Sequence, residues 1–483
     1  MGILYYSTNS RTHRVTFERA LLEGQPDDYG LYMIPRDSIP LVDERLINRM
    51  KRMSYADIAF VILSRYLQDE IPDEDLHSMV MDAYDEEAIP TEVQNVTGRT
   101  HILWLTRGPT YSFKDYAARF FARALNHFLG RRNLKRTVVV ATSGDTGGAI
   151  ADALHGLENV ECVIFYPKDS ISEGQRRQMT TLGGNVHAFQ VNGDFDVCQG
   201  IAKQLLADYT FAEEAFGDAE RITSANSISL GRLLPQVIYP FYAYARAARI
   251  DEEMTASIPS GNFGDMMGTL LAKGMGLPIS RIVCGVNANK EFPEFLKTGE
   301  YHVTATARSP SSAMNISHPS NLARVMDYYG GHMFDERDPE SGKLIQRGKI
   351  DVMPDMAAMR RDIAAYSISD EEHFETMKKV YETYGIILDP HGAVGWRALE
   401  RNKGNDHSSL NMVYETADPG KFPDEVKEAL GFTPELPERM QSQRNAKEDI
   451  NTLDQKPKKT KDGFEITAPQ MDEVKDKLRK LLS

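Results

Sequence analysis

The stretch Val138-Val-Val-Ala-Thr-Ser-Gly-Asp-Thr-Gly-Gly148 decides the predicted fold. Its first residues form a β-branched run typical of a short buried strand, and the glycines that follow make a tight turn. Beyond the turn, Ile150, Leu154 and Leu157 recur at helical spacing. A strand that passes through a glycine turn into a helix is the first half of a βαβ unit.

The same alternation of strands and helices continues along the chain. The predicted elements are strands at 160–167 and 186–191 and helices at 172–182 and 198–207. A second block restarts at Ala256-Ser-Ile-Pro-Ser260 and passes a glycine turn and a helix to a strand at 281–286. Such alternation indicates mostly parallel sheets covered by helices. The predicted fold class is α/β, with two open, mostly parallel sheet domains and a mixed N-terminal region.

Composition and pattern together divide the chain into four predicted ranges. Residues 1–98 are a mixed helical region, 99–251 the first α/β domain, 252–433 the second α/β domain and 434–483 a polar tail. In the tail, the basic run at 456–461 is interpreted as a flexible, solvated segment before a short amphipathic stretch at 471–482.

Composition argues against several classes of protein. The chain has 483 residues, and 56 Lys and Arg against 70 Asp and Glu give a formal net charge of -14, which disfavours a nucleic-acid binder. Cys162, Cys198 and Cys284 lie far apart, without the spacing of a zinc site or a disulfide framework. No apolar run reaches the roughly 18–20 residues that cross a membrane. We therefore expect a cytoplasmic protein with no metal ion, nucleic-acid partner or membrane segment.

A lysine stands at the predicted start of a helix in Thr110-Tyr-Ser-Phe-Lys-Asp115. Ser112 and Asp115 resemble a capping box, so Lys114 is predicted in the first helical turn. The helix dipole and neighbouring Phe side chains would lower the pKa of its amine, and a neutral amine can form a Schiff base. The alternative interpretation is an ordinary surface lysine at a helix start.

Two glycine loops follow predicted strands, one in each block. Thr142-Ser-Gly-Asp-Thr-Gly-Gly148 offers amides and hydroxyls to an anion, and Ser260-Gly-Asn-Phe-Gly-Asp265 occupies the same position in the second block. The first loop lacks the glycine patterns of a P-loop and of a dinucleotide site. Each alone is also an ordinary tight turn. Together with a Schiff-base lysine, they indicate pyridoxal phosphate and an anionic substrate.

In this order, the motifs resemble those of the fold type II pyridoxal-phosphate enzymes. Over residues 4–432 the chain is similar, within that group, to the threonine synthases of the long bacterial and fungal class. Further motifs that carry the resemblance are Gly30-Leu-Tyr-Met-Ile-Pro35, Asn226-Ser-Ile-Ser229, Asp389-Pro-His-Gly392 and Thr416-Ala-Asp-Pro-Gly-Lys-Phe422. The resemblance implies a fold of the tryptophan synthase β kind and a lyase that converts O-phosphohomoserine and water to threonine and phosphate.

The resemblance also implies roles for individual residues. Lys114 would hold the cofactor covalently and move protons, Thr416 would contact the pyridine nitrogen, and Asp145 would lie near the ring hydroxyl. The residues for the cofactor phosphate would be Gly261, Asn262, Phe263 and Gly264. Those for the substrate carboxylate would be Thr142, Ser143, Gly144, Thr146 and Gly147, and those for the substrate phosphate Asn226, Ser227 and Arg232.

Some points stay open at the level of the sequence. Ser229 stands where the family often has Asn, and His391 either lines the cofactor pocket or is a structural histidine beside a proline turn. The alternative functions are a related phospholyase, a serine or threonine dehydratase, and a non-catalytic binding relative. We expect a monomer or a homodimer.

Overall fold

The chain forms two compact units whose boundaries interrupt the sequence several times. The computed structural model describes residues 2–168, 171–338, 344–403, 408–460 and 463–482. Unit 1 comprises Met1–Ala20, Gln25–Ala117 and Ser227–Glu435. Unit 2 comprises Leu21–Gly24, Ala118–Asn226 and Leu436–Ser483.

The described residues contain the following strands and helices. The strands are β1 (Tyr5–Ser7), β2 (Arg14–Val15), β3 (Tyr32–Met33), β4 (Glu92–Thr97), β5 (Thr100–Trp104), β6 (Arg136–Ala141), β7 (Val160–Pro167), β8 (Val186–Val191), β9 (Ile222–Ser224), β10 (Met254–Pro259), β11 (Ile279–Val286), β12 (His332–Arg337), β13 (Leu344–Val352), β14 (Ile363–Ser367), β15 (Leu410–Glu415), β16 (Asn451–Thr452), β17 (Lys458–Thr460) and β18 (Gly463–Glu465). The α-helices are α1 (Phe17–Glu23), α2 (Glu44–Met50), α3 (Tyr55–Leu67), α4 (Asp73–Ala83), α5 (Lys114–Arg132), α6 (Asp145–Leu154), α7 (Glu173–Thr180), α8 (Phe195–Leu206), α9 (Tyr209–Phe216), α10 (Leu230–Leu233), α11 (Ile238–Ala247), α12 (Gly264–Gly274), α13 (Glu291–Thr298), α14 (Leu322–Tyr328), α15 (Met356–Asp362), α16 (Asp370–Tyr384), α17 (Pro390–Lys403), α18 (Pro423–Leu430), α19 (Glu438–Gln443) and α20 (Ala468–Leu482). None of these helices is long and apolar enough to cross a membrane, within the residues described.

A six-stranded sheet with the order β14-β11-β10-β15-β5-β4 lies in unit 1. Its pairs are parallel except for β4 with β5. All residues of β10 and β15 are buried, as expected of parallel strands covered on both faces. Because β10 and β15 are parallel neighbours, the residues that follow them come at the same edge of the sheet, where ligands bind in open α/β sheets. These residues include Ser260 and Thr416.

A five-stranded parallel sheet with the order β16-β8-β7-β6-β9 lies in unit 2. Apolar side chains from its strands, among them Val139, Phe165 and Phe189, form one core with Val197 and Ile201 of α8. The strands predicted at 160–167 and 186–191 coincide with β7 and β8. The two parallel sheets, one in each unit, confirm the predicted fold class.

The units differ from the ranges expected from composition. Strand β5 was assigned to the first α/β domain, but it pairs in parallel with β15 over five residues and so belongs to the sheet of the second block. Helix α11, also assigned to the first domain, packs against α12, α2 and α3 of unit 1. Hydrogen bonding between strands about 300 positions apart decides this membership, and local patterns do not reveal it.

The C-terminal residues are not the solvated tail that their polarity predicted. Strand β16 extends the sheet beside β8, and Met471, Val474 and Leu478 of α20 lie in the core of unit 2. Part of the predicted flexible basic run forms β17, which pairs with β18, while Lys461 lies outside the described residues. A few apolar residues at helical spacing are enough to bury one face of a helix that is otherwise polar.

Candidate active site

Lys114 is the first residue of helix α5. It is half-buried, and its Nζ lies 5.2 Å from the centre of the Phe113 ring. The predicted capping box is wrong, because Asp115 accepts hydrogen bonds from the backbone N–H (2.8 Å) and the hydroxyl (2.5 Å) of Thr110. Ser112 Oγ is left buried without a hydrogen-bond partner among the described residues. The carboxylate of Asp115 therefore fixes the turn that leads into the lysine.

The lysine segment is hydrogen-bonded to the end of strand β15. The backbone N–H of Phe113 donates to the carbonyl of Thr416 (2.9 Å), and the hydroxyl of Tyr239 donates to the carbonyl of Phe113 (3.1 Å). Thr416 is buried, and its hydroxyl makes no hydrogen bond within the described part of the chain. The structure thus brings Lys114 and Thr416 to the same edge of the sheet in unit 1.

The loop between β10 and α12 leaves its backbone amides open. The N–H groups of Gly261, Asn262 and Phe263 meet no acceptor within the described residues. A Cβ atom on Gly261 would lie 2.8 Å from the carbonyl oxygen of Ala313, so only glycine fits there. Phe263 has a left-handed backbone (φ 62°), which is unfavourable for a residue with a side chain. Open amides at a helix start form an anion-binding site.

Asp265 follows this loop and connects it electrostatically to the lysine. The side chain is buried, and burial raises the pKa of its carboxyl group to about 7, although the positive charge of Lys114 lowers that pKa. Lys114, the residues 261–264 and Thr416 are therefore gathered in one unit. The sequence motif includes Asp265, but its burial has no local signature in the sequence.

Ser227 and Arg232 also belong to unit 1. Arg232 in α10 is fully buried, and burial lowers the pKa of its guanidinium to about 10, while Tyr239 and Asp115 raise it. The group therefore stays charged at neutral pH. Ser229 Oγ is buried without a hydrogen-bond partner in the described part of the chain. A buried guanidinium beside a segment with an unused hydroxyl is suited to a phosphate ester.

The predicted carboxylate loop lies in unit 2, between β6 and α6. Thr142 Oγ1 accepts hydrogen bonds from the N–H groups of Gly144 (3.0 Å) and Gly147 (2.9 Å) and donates to the carbonyl of Gly144 (3.0 Å). The hydroxyl of Thr142 therefore shapes the loop. Ser143 and Thr146 are half-buried, and their hydroxyls make no hydrogen bond to other described residues.

The other two predicted residues of unit 2 lie on either side of this loop. Asp145 is the first residue of α6, whose cap is Gly144, and it accepts a hydrogen bond from Gln175 Nε2 (2.9 Å). Asn226 Nδ2 donates to the carbonyl of Ala141 (3.4 Å), whereas Asn226 Oδ1 is buried without a partner among the described residues. Gln175 was not predicted, because it lies 30 positions along the chain from its partner.

Sequence reasoning also missed a buried cluster of acids beside Thr416. Asp389 accepts hydrogen bonds from the backbone N–H (2.7 Å) and Nδ1 (2.5 Å) of His391, and its own N–H donates to Glu415 Oε1 (2.6 Å). Burial and the charge of Asp389 raise the pKa of Glu415, while His391 lowers the pKa of Asp389 against the effect of burial. His391 Nε2 accepts the N–H of Ala313 (3.2 Å). His391 therefore connects this cluster to the loop that backs Gly261.

The residues of unit 1 fit pyridoxal phosphate. A lysine amine suits its aldehyde, the open amides beside Gly261 suit its phosphate, and the unused hydroxyl of Thr416 suits its ring nitrogen. Glycine at position 261 lets the loop pack closely against the Ala313 carbonyl, where a Cβ would clash. Within the described residues, no group of three or more His, Cys, Asp or Glu side chains is arranged to hold a metal ion.

Family models match most of the chain. The N terminus of threonine synthase matches residues 4–84, a pyridoxal-phosphate dependent enzyme domain matches residues 103–347, and the C-terminal region of threonine synthase matches residues 392–463. The threonine synthase of Escherichia coli is 35% identical over 439 residues, which cover 90% of this chain and 93% of that protein. The threonine synthase of Saccharomyces cerevisiae is 37% identical over 469 residues, which cover 89% and 90%.

Solved structures agree with the family models. The threonine synthase of Brucella melitensis with bound pyridoxal phosphate superimposes with a TM-score of 0.86 at 30% identity and covers 99% of both chains. The threonine synthase of yeast has a TM-score of 0.82 at 34% identity and covers 94% of this chain and 96% of its own. Both likenesses extend over nearly the whole length.

Proposed function

Because the chain belongs to the threonine synthase family of pyridoxal-phosphate-dependent enzymes, we propose that it converts O-phosphohomoserine and water to threonine and phosphate. The observation that carries the proposal is the hydrogen bond from Phe113 to Thr416. It holds Lys114 beside the strand end and in the same unit as the open glycine loop. Unit 1 alone would then supply the lysine that anchors the cofactor, the hydroxyl for its ring nitrogen and the loop for its phosphate.

Lys114 is the acid and base of the proposed reaction. Bound at this site, pyridoxal phosphate supplies an electron sink for the carbon next to the substrate amine. Lys114 Nζ would take the Cα proton of the bound substrate and then a Cβ proton, and phosphate would leave from Cγ. Lys114 would then return protons at Cγ and Cα, the hydroxyl of a water molecule would add at Cβ, and the other proton of that water would pass to the released phosphate. The hydroxyl of Thr416 would hold the ring nitrogen and, unlike a carboxylate, would not force that nitrogen to stay protonated.

Two groups of residues bind the substrate in this proposal. Asn226, Ser227 and Arg232 hold the phosphate ester, with the forked guanidinium of Arg232 as the principal charge. The hydroxyls of Ser143 and Thr146 and the start of α6 receive the substrate carboxylate, while Thr142, Gly144 and Gly147 shape that loop. The residues 261–264 would hold the cofactor phosphate, and Asp145 would serve the cofactor's ring hydroxyl.

The decisive experiment measures both products of one reaction. With O-phosphohomoserine as substrate, we expect phosphate and threonine in equal amounts. Phosphate without threonine would identify a phospholyase instead. Deamination of serine or threonine without use of the phosphorylated substrate would identify a dehydratase.

The role of Lys114 is tested separately. Lys114→Ala should abolish turnover and the visible absorbance of the lysine-bound cofactor, since no other amine is held at the start of α5. Lys297→Ala, at an exposed position of α13, is the matched control and should keep both. A coloured and active Lys114→Ala protein would contradict the assignment.

We also propose a cytoplasmic enzyme that is a monomer or a homodimer. Cys162, Cys198 and Cys284 are buried free thiols, which is consistent with a reducing compartment. Light scattering during gel filtration measures the oligomeric state directly, and a tetramer would contradict the proposal.

A further inference from the structure

Arg324 of helix α14 is a fully buried arginine without an acidic partner among the described residues. Its Nε donates to the carbonyl of Tyr32 (2.9 Å), one terminal nitrogen to Asn321 Oδ1 (2.6 Å) and the other to the carbonyl of Ile228 (2.7 Å). Burial lowers the pKa of its guanidinium to about 9, so the group remains charged at neutral pH. A charge in this position is costly unless another charge balances it.

Asn321, three positions earlier, joins two separate segments of unit 1. Its backbone N–H (3.2 Å) and Nδ2 (3.0 Å) both donate to the carbonyl of Asn262, and Nδ2 also donates to the carbonyl of Ser227 (3.3 Å). The hydroxyl of Ser320 donates to Asn262 Oδ1 (2.9 Å). Residues 320–324 therefore hold the glycine loop at Asn262 and the segment at 227–228 together.

Both of these segments carry amides or hydroxyls that are assigned above to phosphate groups. Asn321 and Arg324 donate hydrogen bonds to the carbonyls of Asn262, Ser227 and Ile228. These bonds fix the orientation of the peptide groups without using the N–H groups, which stay available to a ligand. In a medium of low dielectric constant, a buried positive charge also acts over longer distances than it does in water. The same side chains can thus align the donors and attract the anions that these donors bind.

We propose that Arg324 and Asn321 are positioning residues that align both phosphate-binding segments, and that bound phosphate groups balance the buried charge of Arg324. The inference rests on the proposed function for the identity of these segments. It goes beyond that function because it assigns one structural support, in α14, to the cofactor phosphate and the substrate phosphate together.

A second buried arginine provides a matched control. Arg136 in unit 2 is also nearly inaccessible, but it pairs with Asp218 (2.8 Å) and Glu220 (3.6 Å). Replacing Arg136 or Arg324 by methionine removes a buried guanidinium in either case. Only the change at Arg324 removes a charge that lacks an acidic partner within the described residues.

The test uses binding to the apoprotein, so it does not depend on turnover. Inorganic phosphate should raise the unfolding temperature of the wild type and of Arg136→Met, and this protection should be largely lost in Arg324→Met. The dissociation constant for pyridoxal phosphate should rise at least about tenfold in Arg324→Met and stay within about twofold in Arg136→Met. Arg324→Lys keeps the charge and loses most of the bonds, so it should recover part of the phosphate protection.

The possible outcomes separate the inference from the proposed function. Equal losses of stability in both methionine variants, with phosphate protection and cofactor affinity unchanged, would make Arg324 a purely structural residue and overturn the inference. If Arg324→Met does not fold, Arg324→Lys is the variant that tests the inference. An Arg324→Lys protein with the cofactor affinity and phosphate protection of the wild type would overturn the inference. If the binding of inorganic phosphate and of pyridoxal phosphate both depend on Arg324 but the wild type does not use O-phosphohomoserine, the inference stands and the substrate assignment fails.

Discussion

The buried carboxyl group of Asp265 makes the stability of unit 1 depend on pH. Burial raises its pKa in the folded protein to about 7, from an ordinary value of 3.8. The folded state therefore holds a proton that the unfolded chain releases above about pH 4. The resulting stabilisation is fully present below that pH and is lost as the pH rises through about 7.

We predict that Asp265→Asn weakens this pH dependence. In the wild-type apoprotein, Asp265 should contribute a fall of roughly 4 kcal/mol or less in the free energy of unfolding between pH 4 and pH 7.5. Asparagine does not titrate, so that part of the fall should disappear. Urea unfolding at a series of pH values measures it, with Asp472→Asn, at an exposed site on α20, as control. Parallel curves for Asp265→Asn and the wild type would contradict the prediction.

His391 connects the buried acids to the segment that packs against the glycine loop at 261–264. It accepts the N–H of Ala313, whose carbonyl lies against Gly261, and it donates from Nδ1 to Asp389. His391→Ala should leave Asp389 buried with fewer donors and release the loop at 313. We predict that the free energy of unfolding falls by about 1–3 kcal/mol and that the affinity for pyridoxal phosphate falls with it.

A control for His391 is available in the other unit. His187 is hydrogen-bonded to Glu161 (3.0 Å) on a partly exposed face, so His187→Ala should leave the cofactor affinity unchanged. Calorimetry and a cofactor titration measure the two quantities. If His391→Ala binds the cofactor as tightly as His187→Ala does, the hydrogen bond between His391 and Ala313 contributes nothing to the cofactor affinity.

The role of a residue is easier to predict from the sequence when its partners lie close to it along the chain. Lys114 and the loop at 261–264 stand out because their motifs are local, and the structure gathers both in unit 1. The predicted capping box of Ser112 and Asp115 is wrong because Thr110, five positions before Asp115, donates to the carboxylate instead. Arg324 resembles any helical arginine in the sequence, since two of its three acceptors lie about 100 and 290 positions away.

Among the elements, helix α20 shows how composition misleads. Most of its residues are polar or charged, yet Met471, Val474 and Leu478 are buried with Leu453 in the core of unit 2. The amphipathic period was visible in the sequence at 471–482. The surface that α20 covers could not be predicted, because β8 and the other strands of that core lie some 280 or more positions earlier in the chain.

We predict that Leu478→Ala destabilises unit 2 by about 2–5 kcal/mol, since it removes a buried leucine from a packed core. Lys480→Ala, on the exposed face of the same helix, should change the free energy of unfolding by less than about 0.5 kcal/mol. Chemical unfolding of the two variants measures the difference. Equal effects would mean that α20 adds no more to the unit than a solvated tail would.

For the whole molecule, the net charge of -14 opposes the approach of anionic ligands. The field of the complete charge distribution acts beyond the reach of local donors, and salt screens it. The Debye length shrinks from about 30 Å at 0.01 M ionic strength to about 8 Å at 0.15 M. Under the proposed function, binding therefore rests on local backbone amides and on a few cations such as Arg232.

We predict that kcat/KM for O-phosphohomoserine rises as the ionic strength increases from about 0.01 M to 0.15 M, because long-range repulsion of the substrate is screened. Steady-state kinetics in sodium chloride measure this rise. A parallel series in sodium acetate separates screening from competition by chloride. A steady fall in both salts would show that the local cations dominate at all distances.

At this scale, the sequence predicts the class of architecture better than its boundaries. The alternation of strands and helices predicts two mostly parallel sheets, and the described residues form one such sheet in each unit. The membership of β5 was missed because its partner β15 begins 310 residues later. Short-range periodicity defines elements, whereas the hydrogen-bond ladder between distant strands defines the units.

The interrupted course of unit 2 has a consequence for its synthesis on the ribosome. Residues 118–226 emerge early, but β16 and α20 follow only after residues 227–435 have been translated. Until then the nascent sheet has an unpaired edge at β8 and an uncovered apolar face. Exposed strand edges and apolar surfaces are what chaperones engage and what aggregation exploits. Unit 2 can therefore complete its fold only late in synthesis, after all of unit 1 has been translated.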